Sequence, residues 1–124
     1  MDLSTFISLH VRVGNAVPLF MIAAGAFSLF NYVRGRGVDG NMLGILVVGE
    51  ILMLVQAGLG LILLVSGLFP GRLIHFLYGG LSVLVLPALW VYTRGATDRR
   101  ASLIWGLAGL FMMGLALRAI GTAG

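Results

Sequence analysis

The chain has no cysteine and no lysine, and little charge of either sign. Without Cys there is no disulfide, no thiolate metal site and no thioether-linked prosthetic group. The 124 residues include 8 basic side chains, all Arg, and 4 acids, so 10% are charged, against about a quarter in a soluble domain. That scarcity excludes a soluble globular enzyme, a disordered tail and a free nucleic-acid-binding module. A pI near 10.8 would suit nucleic acid, but the Arg residues fall at the boundaries of apolar runs, where the sorting of positive charge to one membrane face accounts for them. No nucleophile, triad or phosphate loop is visible. The opening Met1-Asp2-Leu3-Ser4-Thr5 lacks the basic region of a signal peptide, so the first apolar segment is expected to be a retained span.

What is abundant is apolar: 60% of residues are hydrophobic and the mean hydropathy is +1.08. Four runs, about 7–33, 42–69, 73–93 and 101–121, are each long enough to cross about 30 Å of hydrocarbon at about 1.5 Å per residue. None alternates with period two, so strands are excluded. The expectation is an all-α membrane protein, a single domain over 1–124 forming a four-transmembrane-helix up-down-up-down bundle, because the connections are short. The connections 34–41 and 94–100 carry five Arg; Arg12, Arg72 and Arg118 fall on the other side. This bias puts the two Arg-rich connections in the cytoplasm and both termini outside it, in a membrane of the bacterial inner-membrane kind. Tyr32, Tyr92 and Trp90 fall where interfacial aromatics belong.

The 19 Gly residues recur at small-residue spacings: Gly40 with Gly44, Gly106 with Gly109, Gly60 with Gly67. Close helix packing is the plain reading; room for a flat cofactor is the other. An internal echo joins spans one and three. Each contains His-x3-Gly (His10 and Gly14; His75 and Gly79), then a Pro (Pro18; Pro87), then Tyr-x-Arg-Gly (Tyr32 to Gly35; Tyr92 to Gly95). The echo suggests two helical hairpins related by an axis along the membrane normal. Spans one and three would then run the same way, with both histidines toward one membrane face and Gly one turn deeper on the same face. The His-to-Tyr spacings differ by five residues, about 7.5 Å of rise, which tilt or a proline kink must absorb.

Two imidazoles can hold a haem iron from opposite sides. Glycine beside each ligand would let the ring approach the backbone. Arg12, Arg72 and Arg118 would pair with the propionates, since Arg matches a carboxylate and is costly if left uncompensated near hydrocarbon. The bland alternative is that each His is interfacial, bonding lipid or a helix carbonyl.

The segment Gln56-Ala57-Gly58-Leu59-Gly60, then Val65-Ser66-Gly67-Leu68, Pro70 and His75, resembles one half of the haem A synthase family over roughly residues 7 to 80. The resemblance implies a four-helix unit in which His10 and His75 are paired haem ligands on the outer side of the membrane. It departs from the family where a Glu is expected three residues before the first His, here Ile7, and where an Arg is expected directly after it, here Val11. The family has two such halves and this chain has one. The resemblance therefore implies a single-haem cytochrome, like the small b561-type cytochromes at fold level, rather than haem A synthesis.

Glu50 is the only acid inside an apolar run and must be protonated or partnered there. It is read as a proton-relay or quinone-site carboxyl, or as a neutral carboxyl bonding a neighbouring helix. Gln56 is read as an interhelical hydrogen bond, or as a contact with haem or a quinone carbonyl. The six Met residues are expected to pack, and Trp90 and Trp105 to pack or anchor. The expected function is electron transfer by one haem b, metal-bound through His10 and His75, with quinone or within a larger redox complex, in the lipid bilayer and as a possible homo-oligomer. Two rivals stand beside it. One is an accessory subunit of a respiratory or photosynthetic complex, its histidines facing lipid or a (bacterio)chlorophyll magnesium. The other is a small proton-coupled transporter using Glu50.

Overall fold

The computed structural model describes residues 2–124, and among them all regular structure is α-helical. The elements are α1 (Leu3–Val33), α2 (Gly40–Val65), α3 (Ile74–Thr93) and α4 (Arg99–Ala123). Each is long and apolar enough to cross a membrane.

Three of the four helices, α1, α2 and α4, begin earlier than their apolar runs do, because polar residues start them; α3 begins at Ile74 behind Leu73, without a side-chain cap. Asp2, Asp39 and Asp98 are N-caps whose carboxylates accept from Thr5, Met42 and Ala101 backbone N–H groups, satisfying donors that a helix start leaves free. Three of the four acids are thereby committed to capping. α2 stops at Val65 rather than running to 69. Ser66 caps it and Gly67 follows at φ 87°, a left-handed conformation that Gly adopts without cost.

α1 packs on α4 and α2, and α3 packs on α4 and less extensively on α2; α1 and α3 do not pack against each other. The tightest seam is α1 with α4. Val17, Met21, Ala24, Ser28 and Asn31 on α1 recur every three or four residues, a single helix face. The buried residues of α4 include Trp105, Ala108, Met112 and Leu115. Glycine decides the approach: a Cβ built on Gly109 would stand 2.6 Å from Gly25 Cα. The spacing expected to bring helices together therefore does so at Gly106 and Gly109. Gly40 and Gly44 face open space, Gly60 abuts a histidine, and Gly67 makes a turn.

Met21, Met42 and Met112 are fully buried and Met53 nearly so, as packing requires; Met1 lies outside the described residues. Trp105 is buried, whereas Trp90 and Tyr92 are exposed.

The α1–α2 and α3–α4 connections meet. Val38 N–H donates to Thr97 O at 3.0 Å, and the Ser102 hydroxyl to Arg36 O at 2.9 Å. Asn31, fully buried, accepts from Arg34 Nη2 at 3.0 Å. Arg99 donates to Tyr32 O at 2.8 Å and lies 4.1 Å over the Tyr32 ring. The α2–α3 connection lies instead along the end of α4: Gly71 and Arg72 N–H groups donate to Ala123 O and Thr122 O, using carbonyls that a helix end leaves free.

Candidate functional site: a histidine pair between helices that do not touch

His10 lies in α1, about 10 Å of rise beyond Leu3, and His75 is the second residue of α3. Although their helices do not pack together, the two rings meet with centroids 6.3 Å apart and planes at 76°. The five-residue offset in the internal echo therefore does not keep the rings from one level. Both histidines are partly buried.

His75 is oriented by α4. Its Nδ1 lies 2.8 Å from Ala119 O and 3.3 Å from Thr122 Oγ1. A carbonyl only accepts, so Nδ1 carries the proton and Nε2 keeps its lone pair in the neutral ring. Thr122 is buried and its hydroxyl donates to Arg118 O at 3.0 Å. Docking of the α2–α3 connection on Thr122 and Ala123 thus fixes both the backbone entering α3 and the acceptors for its histidine.

His10 is bounded by α2. Gln56 Nε2 donates to His10 O at 2.8 Å, an interhelical hydrogen bond as the sequence suggests. One turn on, Gly60 lies beneath the imidazole: a Cβ there would stand 3.3 Å from Cε1. His10 Nδ1 and Gln56 Oε1 are both buried without a partner.

The two echo glycines differ. Gly14 does not leave a bare patch, because its space holds the Gln56 amide; a Cβ at 14 would stand 2.8 Å from Nε2. Gly79 has nothing near its Cβ direction and faces open space. Arg12, Arg72 and Arg118 are exposed, each within three positions along the chain of His10, His75 or Ala119. Glu50, six positions before Gln56, has both carboxyl oxygens buried without a partner.

Gly60, Ala119 and Thr122 are not singled out by sequence as parts of the site. Gly60 could have been, since Gln56 and Gly60 are spaced to share a helix face. Among the described residues no cluster of three or more His, Cys, Asp or Glu side chains is placed to hold a metal. Comparison with family models, with characterised proteins and with solved structures found no match.

Proposed function

We propose that the chain is an integral membrane cytochrome, an up-down-up-down four-helix bundle that holds one haem b between His10 and His75. The single observation carrying this reading is the imidazole pair at 6.3 Å and 76°. Two imidazoles this close could both be offered to one haem iron, with His10 and His75 supplying the nitrogens. The donor chemistry fits as well. A ligating His characteristically donates its other N–H to a carbonyl or carboxylate, and His75 does so to Ala119 O. That bond is also what a merely interfacial histidine would make, but it engages Nδ1 alone and leaves Nε2 for a ligand. Gly79 supplies open space one turn on from His75.

When bound, the haem supplies a one-electron couple within the hydrocarbon. The chain's own part is to hold the two imidazoles, to exclude water with apolar helices, and to offer Arg12, Arg72 and Arg118 to the propionates. Large apolar residues such as Val47, Ile51, Leu54, Leu61 and Val65 line the outside of α2, which supports a lipid surroundings for the bundle. The five Arg on the two meeting connections support placing that end in the cytoplasm and both termini outside it. A haem near the outer face does not carry electrons across the membrane by itself, so the partner is a quinone or a neighbouring redox subunit.

A second reading, proton-coupled transport, is favoured by one observation: the buried, unpartnered carboxyl of Glu50.

Absorption spectra of the full chain in mild detergent, oxidised and dithionite-reduced, with a pyridine haemochrome, test the proposal. A Soret band with sharp reduced α and β bands, lost in both His10→Ala and His75→Ala, is the expected result. A protein that stays colourless after haem reconstitution overturns the cytochrome and moves attention to Glu50.

A further inference from the structure

The two histidines are unequally provided for. His75 has an acceptor for its Nδ1 proton; His10 Nδ1 is buried and has none. Beside His10 lies a second buried orphan of complementary chemistry, the acceptor Gln56 Oε1. The amide's orientation is not arbitrary, because its nitrogen must be the end that donates to His10 O at 2.8 Å. Its oxygen is therefore the end left for another donor. Gly60, four residues on along the same face of α2, holds the edge of the His10 ring, with both ring nitrogens within 4.0 Å of its Cβ position. Gln56 at the carbonyl and Gly60 at the ring thus clasp one residue. A buried polar atom left unpaired is costly; pairing these two satisfies both.

We infer that Gln56 is a positioning residue for His10: its Oε1 accepts from Nδ1–H and so fixes the ring tautomer that presents a bare Nε2 toward His75. This rests on the haem reading for its purpose, though not for its test. The bond would add to the one that Gln56 Nε2 already donates to His10 O. Both histidines then follow one rule. Each gives its Nδ1 proton to an oxygen on a neighbouring helix, Gln56 Oε1 on α2 or Ala119 O on α4, and each keeps Nε2 for the metal. A hydrogen bond of this kind orients a ligating imidazole and raises its basicity, which stabilises the oxidised iron over the reduced.

The test is long-range proton–nitrogen correlation NMR on the full chain without haem, labelled at histidine nitrogen, in detergent micelles. In the unmodified chain His10 is expected to carry its proton on Nδ1. Gln56→Glu, which keeps an acceptor at that place, should keep this tautomer. Gln56→Met, similar in length but without an acceptor, should give Nε2–H or a mixture. His75 should hold Nδ1–H throughout and serves as the internal control. After reconstitution, Gln56→Met should bind haem about 10–100-fold more weakly and at a higher reduction potential. An Nε2–H tautomer in the unmodified chain, or an unchanged tautomer in Gln56→Met, overturns the inference. Failure of the unmodified chain to bind haem overturns the proposed function instead, and leaves the tautomer measurement standing. Should Gln56→Met fail to fold, the tautomer of the unmodified chain still decides.

Discussion

Gln56 and His10, 46 positions apart, are joined by a hydrogen bond that bypasses the imidazole: the side-chain amide on α2 donates at 2.8 Å to a backbone carbonyl on α1. The carbonyl lies within a helix, where it already serves the helix ladder, and its second lone pair takes the amide. α2 is thereby registered against α1 at the level of the histidine, and Gly60 is brought beneath the imidazole.

Gly60 is accordingly a sensitive position. A methyl at 60 would meet His10 Cε1 at 3.3 Å, close enough that the ring must yield by a few tenths of an ångström. On the proposed haem reading, Gly60→Ala is expected to weaken haem binding and Gly60→Val to abolish it. Neither should unfold the bundle, because replacing a mid-helix Gly relieves about 0.5–1 kcal/mol of backbone cost. Haem titration by absorbance, with thermal melting of the haem-free protein alongside, separates the two effects. Binding by Gly60→Val at the unmodified affinity would contradict this placement of the ring.

Gly109 is sensitive for another reason. Its added Cβ would meet Gly25 Cα at 2.6 Å and Met21 O at 3.0 Å, atoms of a helix backbone that cannot swing aside. Gly109→Ala should destabilise by roughly 1–3 kcal/mol, the usual cost of overpacking. Gly114→Ala, on the same helix with nothing within 4 Å, should be neutral or slightly stabilising. Thermal unfolding in detergent reads both, and equal melting of the two variants would remove the close α1–α4 contact as an explanation.

At the start of α1, hydrogen bonds from the Ser4 hydroxyl and from the backbone N–H and hydroxyl of Thr5 hold the Asp2 carboxyl below its ordinary pKa of 3.8. A depressed folded value means that the cap's stabilisation is present above the unfolded pKa and is lost as pH falls through the folded one. Amide exchange at Thr5, followed downward from pH 5, should show the added protection disappear below pH 3.8. Asp2→Asn keeps a capping oxygen without the charge and should lack this pH dependence. The same acid-induced loss in Asp2→Asn would show that another group is responsible.

The four helices were legible because each is an uninterrupted apolar run, and apolar length needs no tertiary information. Their ends were less so. Counting apolar residues starts a helix too late by as many positions as its cap and first polar turn occupy, as at Asp39 and Asp98. It overran α2 as far as Phe69 because Leu68 and Phe69 are apolar although Gly67 has already turned the chain. The pairing of His10 with His75 was legible from the repeated His-x3-Gly. What surrounds each ring was not, because it depends on how each helix is rotated. The same spacing put the Gln56 amide against Gly14 and open space against Gly79. The oxygens near His75 come from Ala119 backbone and Thr122, and a backbone acceptor leaves no signature in residue type.

The seam between α1 and α4 has a thermodynamic consequence. Where Gly25 meets Gly109 the contact is main chain against main chain, so there are no rotamers to freeze when the helices close. A long side chain immobilised at such a contact forfeits up to about 1.5–2 kcal/mol of rotational freedom; glycine forfeits none. That entropic saving is part of what lets the two helices stay associated. The residues with the least to show in a sequence are thus the ones that let α4 carry Ala119 and Thr122 to a histidine on α3 while α1 carries its own to meet it.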